Sequence, residues 1–340
     1  MDVTVLGPQR RTSGAKAAVA ELIPRGPIAT INAGWRERES EDGELNAVLE
    51  GRMANLRLYQ RWTELISTDP EYAAAERKLA DELEEQQAVY ALRLFHAVAA
   101  LDQVNRRDKM PAVRAAAVAD GIRQLRALDA WHLSEVAGSR HTFYRSIMIG
   151  ERPNVLAHRR ELREICQGSA GMVITGGHVG VLLHLLHVFG LAAMLTEPVI
   201  TWSAGAMALS DRVVLFGANR PAGRRLPEVW AEGLGAYPGV LPFPQPRSRL
   251  PMHDPYQLAL LARRFKPRTC LLVEEKSRLL LGEGRPLPTS ARWVDRQGAV
   301  IVRGPEGDVE ERPGVPVDPT GQPARRPAHA DPVTLRRVGP

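Results

Sequence analysis

Ser203 is the residue whose setting most invites chemistry. In "VITWSAGAMALSD" (199–211) an apolar run stops at this one hydroxyl, and only Ala204, Gly205 and Ala206 follow before a helical pattern resumes. A strand–serine–helix layout with small neighbours suits a nucleophile elbow, which lifts the hydroxyl to the end of the strand. It also leaves the next backbone N–H, that of Ala204, facing a developing oxyanion. Thr201 stands where the usual motif carries glycine two residues before the serine. The same small residues would equally serve a turn that only packs a helix on a sheet, so the motif alone leaves both readings open.

A second stretch, "MVITGGHVGVLL" (172–183), ends a strand-like run in Gly176 and Gly177 and opens an apolar helix. Paired glycines let backbone N–H groups come close to a ligand, so Gly177 is a candidate second oxyanion donor opposite Ala204. His178 sits at the mouth of this loop, where it would meet a ligand. His184 and His187 follow at spacings of six and three. No acidic or cysteine partner lies beside them in sequence, so they are expected to pack on the helix rather than bind a metal. No metal and no cofactor is expected.

Other elements must place these residues. "VTVLG" (3–7) and "IATINAG" (28–34) flank an Ala-rich helical stretch, a strand–helix–strand opening typical of a parallel α/β sheet. "GMVIT" (171–175), "PVIT" (198–201) and "TCLLVEE" (269–275) are short apolar runs suited to buried parallel strands. The pattern "PYQLALLARRF" (255–265) predicts a helix, and "ARWVDRQGAVIVRG" (291–304) predicts a hairpin. The intervening 46–165 is rich in helix formers. There Asp69 is a candidate N-cap with Pro70 in the first turn, and Leu79, Leu83, Tyr90, Leu94, Val98 and Leu101 recur at helical spacing. The expected organisation is a discontinuous α/β domain over 1–45 and 166–303, an all-α insertion over 46–165, and a Pro/Arg-rich tail over 304–340. That tail holds eight prolines and no aromatic residue, a composition expected to be disordered.

Composition narrows the classes. The formal charge of +6 comes largely from scattered arginines, and aromatics make up 5% of the chain, which argues against nucleic acid as a partner. No apolar run reaches the roughly 18 residues needed to span a bilayer, and the N-terminus lacks a signal-peptide layout; no membrane partner and a cytoplasmic location are expected. Cys166 and Cys270 are far apart and form no CxxC pair, consistent with a reducing compartment.

Together, "TWSAGAMALSDRVVLFG" (201–217), "VITGGHVGVLL" (173–183) and "GPIATINAGWRERESEDGEL" (26–45) resemble the peptidase E and cyanophycinase family of serine peptidases. The match covers about 1–45 and 165–285 and leaves out the helical stretch. The resemblance implies an α/β three-layer sandwich with a mostly parallel sheet, of the class I glutamine amidotransferase-like, flavodoxin-like kind, with the all-α stretch as an insertion. It implies Ser203 as nucleophile, Gly177 and Ala204 as the oxyanion hole, and Trp202 and His178 as substrate-facing residues. "LLVEEKSRLLL" (271–281) resembles the family's acidic stretch, so Glu274 or Glu275 would orient the base; strand alternation favours Glu275. The family's histidine follows a "PGV" strand, but here "GLGAYPGVLPFPQPRSRLPMHDPYQLALLARRF" (233–265) places Gln245 at its position. His253, eight residues on, is the nearest histidine and the expected base.

Two functions follow from this reading. One is a serine peptidase-like amide hydrolase of small peptides or aspartyl-type dipeptides, with Ser203, His253 and Glu275 as its triad. Gln245, Arg247 and Arg249 would be substrate-binding, the arginines gripping a carboxylate by charge-assisted pairing. The other is an inactive member acting as a binding protein through its helical insertion, for which Gln245 in place of histidine speaks; a homodimer would suit that apolar helical surface. A glutamine amidotransferase is rejected, because it needs a cysteine at the elbow.

Overall fold

The computed structural model describes residues 1–9, 14–216 and 226–311. The chain opens with β1 (Asp2–Leu6), α1 (Gly14–Leu22) and β2 (Ile28–Ile31), as the patterning predicts. A tight helical segment (Ala33–Arg38) leads to α2 (Gly43–Val48), β3 (Met53–Asn55) and α3 (Leu58–Thr68). Two long helices follow, α4 (Pro70–Asn105) and α5 (Pro111–Ser146), then α6 (Pro153–Gln167). Strand–helix alternation resumes in β4 (Met172–Ile174), α7 (Val179–Val188), β5 (Val199–Trp202) and α8 (Ala204–Leu209). A hairpin of β6 (Arg212–Phe216) and β7 (Pro227–Glu232) precedes β8 (Val240–Pro244), α9 (Pro246–Arg249) and α10 (Pro255–Phe265). The last strands are β9 (Thr269–Val273), β10 (Arg278–Gly282), β11 (Arg292–Val294), β12 (Val300–Gly304) and β13 (Gly307–Glu310).

The architecture is mixed α/β. The larger sheet has the order β10-β1-β5-β4-β2-β3, parallel throughout except for β10 at its edge. Its inner strands β1, β5, β4 and β2 are buried on both faces, as a sheet covered on both sides requires. Leu6, Ile28, Val173, Ile200 and Trp202 pack with Ala18 and Val19 of α1 and Leu45 beyond β2. Their neighbours Val3, Val5, Ala29, Ile31, Ile174 and Val199 form the opposite core with Tyr72, Phe143, Leu162 and the apolar face of α7. A second sheet, β13-β12-β11-β9-β8, is parallel only between β8 and β9.

Asp69 caps α4 as expected, its side chain accepting the Tyr72 N–H at 3.0 Å with Pro70 next in the first turn. Helices α4 and α5, each 36 residues and therefore about 54 Å long, form an antiparallel pair. The helical stretch is not a self-contained block. Tyr72, Leu79, Val136 and Phe143 belong to the core of the large sheet. Tyr90, Leu94, Leu125 and Leu128 share a second core with Phe243, Leu261 and Phe265. Two expected boundaries shift. β3 lies inside the stretch expected to be all helical and pairs with β2 as a sheet edge, because three residues are too few to show a strand period. The expected tail does not begin at Gly304: β12 runs through Gly304, and β13 folds back on it. Residues 312–340, the rest of that tail, lie outside the described residues. Among the described residues no helix is long and apolar enough to cross a membrane.

Candidate functional site

A cavity of about 920 Å³ opens where the parallel strands end. Its walls come from successive strand-following segments: Pro8 and Gln9 after β1, Trp35 after β2, Gly176 to His178 after β4, Ser203 after β5, and Gln245 after β8. Crevices at the carboxyl ends of such strands are where open α/β sheets bind ligands, since the loops there can vary without disturbing the sheet.

Ser203 is held at φ 51°, ψ −117°, a conformation that costs a residue with a Cβ about 1–3 kcal/mol. Local packing enforces it. α8 starts at once after the serine, and a Cβ on Gly205 would stand 2.4 Å from Thr201 Oγ1 and 2.7 Å from the carbonyls of Ile174 and Thr175. Thr201, in the motif's glycine position, fits because its hydroxyl donates to the Ile174 carbonyl at 2.9 Å within the core. A Cβ on Gly176 would press on Ser203 Cβ at 3.0 Å. The glycines at 176 and 205 therefore let the serine turn and the β4 loop meet.

Gly177, at φ +119°, has no room for a side chain: a Cβ would stand 2.3 Å from the Gly34 carbonyl. That carbonyl accepts the His178 N–H at 2.7 Å, locking the β2 and β4 loops together. The N–H groups of Gly177 and Ala204 make no hydrogen bond among the described residues, and both residues line the cavity with Ser203. The Ser203 hydroxyl also has no hydrogen-bond partner among the described residues. The structure thus brings together Ser203, Gly177, Ala204, His178, Trp202, Gln245 and Arg249. Gln245 takes a left-handed conformation at φ 56°, ψ 52°, its N–H donating to the Val273 carbonyl.

His253, Glu275 and Arg247 are not brought there. His253 is exposed in the turn between α9 and α10 and is not among the lining residues. Glu275 is exposed in the turn between β9 and β10. Strand alternation cannot choose between Glu274 and Glu275, because β9 ends at Val273 and both lie in the turn. Glu274 is the half-buried one, and its carboxylate accepts from Arg247 Nε at 3.3 Å and Arg292 Nη1 at 3.0 Å. That pairing spends Arg247 on the protein itself rather than on a ligand. The expected Ser203–His253–Glu275 triad is therefore not assembled.

The other histidines and the cysteines have structural surroundings. His184 Nε2 is 2.8 Å from Glu76 Oε1, an acidic partner 108 residues away that sequence proximity hides. His187 is pushed down to about 4 by burial and the nearby Arg140 and His184 charges. No group of three or more metal-ligating side chains is found among the described residues. Cys166 and Cys270 are buried away from the cavity, which pushes their thiols up to about 11 and 12. Sequence reasoning missed Gln9, Trp35 and Glu44 as lining residues. The available signal was topological: all three follow β1 or β2 on the side where parallel strands end. In comparison with known proteins, no family model matches the chain and no curated protein matches it.

Proposed function

We propose that this protein is a serine peptidase-like amide hydrolase of small peptides or aspartyl-type dipeptides, on a class I glutamine amidotransferase-like α/β scaffold of the peptidase E and cyanophycinase type. The observation that carries this reading is Ser203 itself, strained at φ 51°, ψ −117° in a cavity that it lines with Gly177 and Ala204, whose N–H groups make no hydrogen bond among the described residues. Strain of that kind persists only where the surroundings enforce it, and it clusters at functional sites. In the reaction Ser203 Oγ would bond to the carbonyl carbon with the N–H groups of Gly177 and Ala204 holding the oxyanion. The C–N bond would break as the hydroxyl proton passes to the departing amine, and water would then cleave the ester to release the acid and restore the serine. A cavity of about 920 Å³ suits a small ligand.

A second reading is a binding protein that keeps the elbow but not the chemistry. It is favoured by Gln245 lining the cavity while His253 and Glu275 stay outside. A serine with no proton acceptor in reach is a poor nucleophile at neutral pH. Labelling with a fluorophosphonate probe separates the two. The hydrolase predicts labelling of wild type that is lost in Ser203→Ala; loss in His253→Ala as well would mean that the turn between α9 and α10 delivers His253 during reaction. A folded wild type that takes no label favours the binding protein.

A further inference from the structure

His178 is the one histidine that lines the cavity among the described residues. It is the N-cap of α7, at φ −81°, ψ 104°, and its Nδ1 accepts the Val181 N–H at 3.2 Å. A ring nitrogen that accepts an N–H carries a lone pair, so in the neutral imidazole the proton resides on Nε2. The ring lies beside Gly180, where a Cβ would stand 3.2 Å from both His178 Cε1 and the Trp230 ring; the Nδ1 bond orients it, and the His178 backbone N–H is tied to Gly34. Nε2 has no hydrogen-bond partner among the described residues. Partial burial, then the Arg36 charge, lower the pKa of the ring, and the positive end of α7 acts in the same direction.

We propose that His178 is a fixed hydrogen-bond donor of the cavity, its Nε2–H joining the N–H groups of Gly177 and Ala204 on the carbonyl oxygen of the bound substrate. This rests on the acyl-binding reading of Ser203. It also removes His178 as the proton acceptor for that serine. Nε2 holds a proton rather than a lone pair, and moving that proton to Nδ1 would set it against the Val181 N–H. A neutral imidazole held beneath a helix N-terminus can polarise a carbonyl without itself giving up a full proton.

Two measurements test this. Long-range ¹H–¹⁵N NMR of histidine-labelled protein at pH 7 should show His178 neutral, with Nδ1 unprotonated and Nε2 protonated. A doubly protonated ring, or a proton on Nδ1, overturns the proposal whatever Ser203 does. The second is the rate of fluorophosphonate labelling, in which Ser203 Oγ bonds to phosphorus, fluoride leaves, and the hydroxyl proton passes to water. His178→Asn, His178→Ser and His178→Asp each keep a cap acceptor at the Nδ1 level but put no donor at the Nε2 position. All three should label about tenfold or more slowly than wild type, since a single oxyanion donor is worth at least that. Wild-type labelling rates in all three variants overturn the donor role. If wild type takes no label, the acyl-binding reading falls and the assignment of Nε2–H to a substrate carbonyl falls with it. Labelled wild type with the wrong tautomer sinks the donor alone.

Discussion

Two polar constellations in this molecule differ in what they do with their hydrogen-bonding groups. Around Arg264 nearly everything is satisfied. Its guanidinium grips Asp129 through Nε at 2.8 Å and Nη2 at 2.6 Å, donates to Tyr90 at 2.7 Å, and donates to the Pro227 carbonyl at 2.8 Å. Tyr90 donates its hydroxyl to Asp129 at 2.8 Å and accepts the Val229 N–H at 3.1 Å. Around Ser203, in residues that line a cavity, the hydroxyl, two backbone N–H groups and one imidazole nitrogen have no hydrogen-bond partner among the described residues. Closed networks tie elements together, here α4, α5, α10 and β7. Open ones cost stability and persist where a ligand completes them.

The contrast is sharpest in what disruption should do. Removing one member of the Arg264 network strands a buried charge, because the Arg264 and Asp129 side chains are only 4% and 2% exposed. Asp129→Ala should therefore destabilise the protein by about 3–5 kcal/mol, read as a lower urea midpoint. Fluorophosphonate labelling under native conditions should remain. Equal stability of the variant and wild type would mean that the helical pair is held by apolar packing alone.

His132 stands at the edge of that network and is its one unsatisfied member. It stacks on Tyr90 with centroids 4.2 Å apart, and both ring nitrogens are buried without a hydrogen-bond partner among the described residues. Burial, opposed by Asp129, pushes its pKa from 6.5 down to about 4. The unfolded chain then binds a proton at higher pH than the folded one. Stability should be complete above pH 6.5 and decline as pH falls from there toward 4, by on the order of 3 kcal/mol for this residue. His187, also at about 4, adds a decline of the same sign. Denaturation midpoints between pH 7 and 4.5 should thus fall less steeply in His132→Phe, which keeps the stacking. A slope unchanged in the variant would locate the acid sensitivity elsewhere.

The same contrast explains what could be read from the sequence. Short-range signals carried most of the large sheet and one strand of the second, since β1, β2, β4 and β5, and β9 like them in sequence type, are apolar runs bounded by glycine, proline or polar residues. They also marked the serine turn and the glycine pair, because close backbone contact leaves its trace as small residues in a row. What stayed hidden depends on distant partners. Asp129 meets Arg264 across 135 positions and His184 meets Glu76 across 108, and neither pair has a local signature. His253 and Glu275 lie outside the cavity lining for a related reason. Neither nearness in sequence, which pointed to His253, nor strand alternation, which pointed to Glu275, says which way a turn faces, and here both residues are exposed.

Ser203→Gly should produce the smallest change, and one of opposite sign to the others. Glycine reaches φ 51°, ψ −117° without the steric penalty a Cβ brings, so the variant recovers the strain energy. Against this stands the larger backbone entropy of glycine in the unfolded chain, about 0.5–1 kcal/mol. With strain of about 1–3 kcal/mol relieved, the net effect should be stabilisation by about 1 kcal/mol, visible as a modest rise in Tm, together with loss of labelling. Ser203→Ala, which keeps the Cβ, should abolish labelling without raising Tm. That pairing separates backbone strain from the hydroxyl. If Ser203→Gly proved no more stable than Ser203→Ala, the elbow would store no strain, and the leading structural argument for a functional serine would be gone.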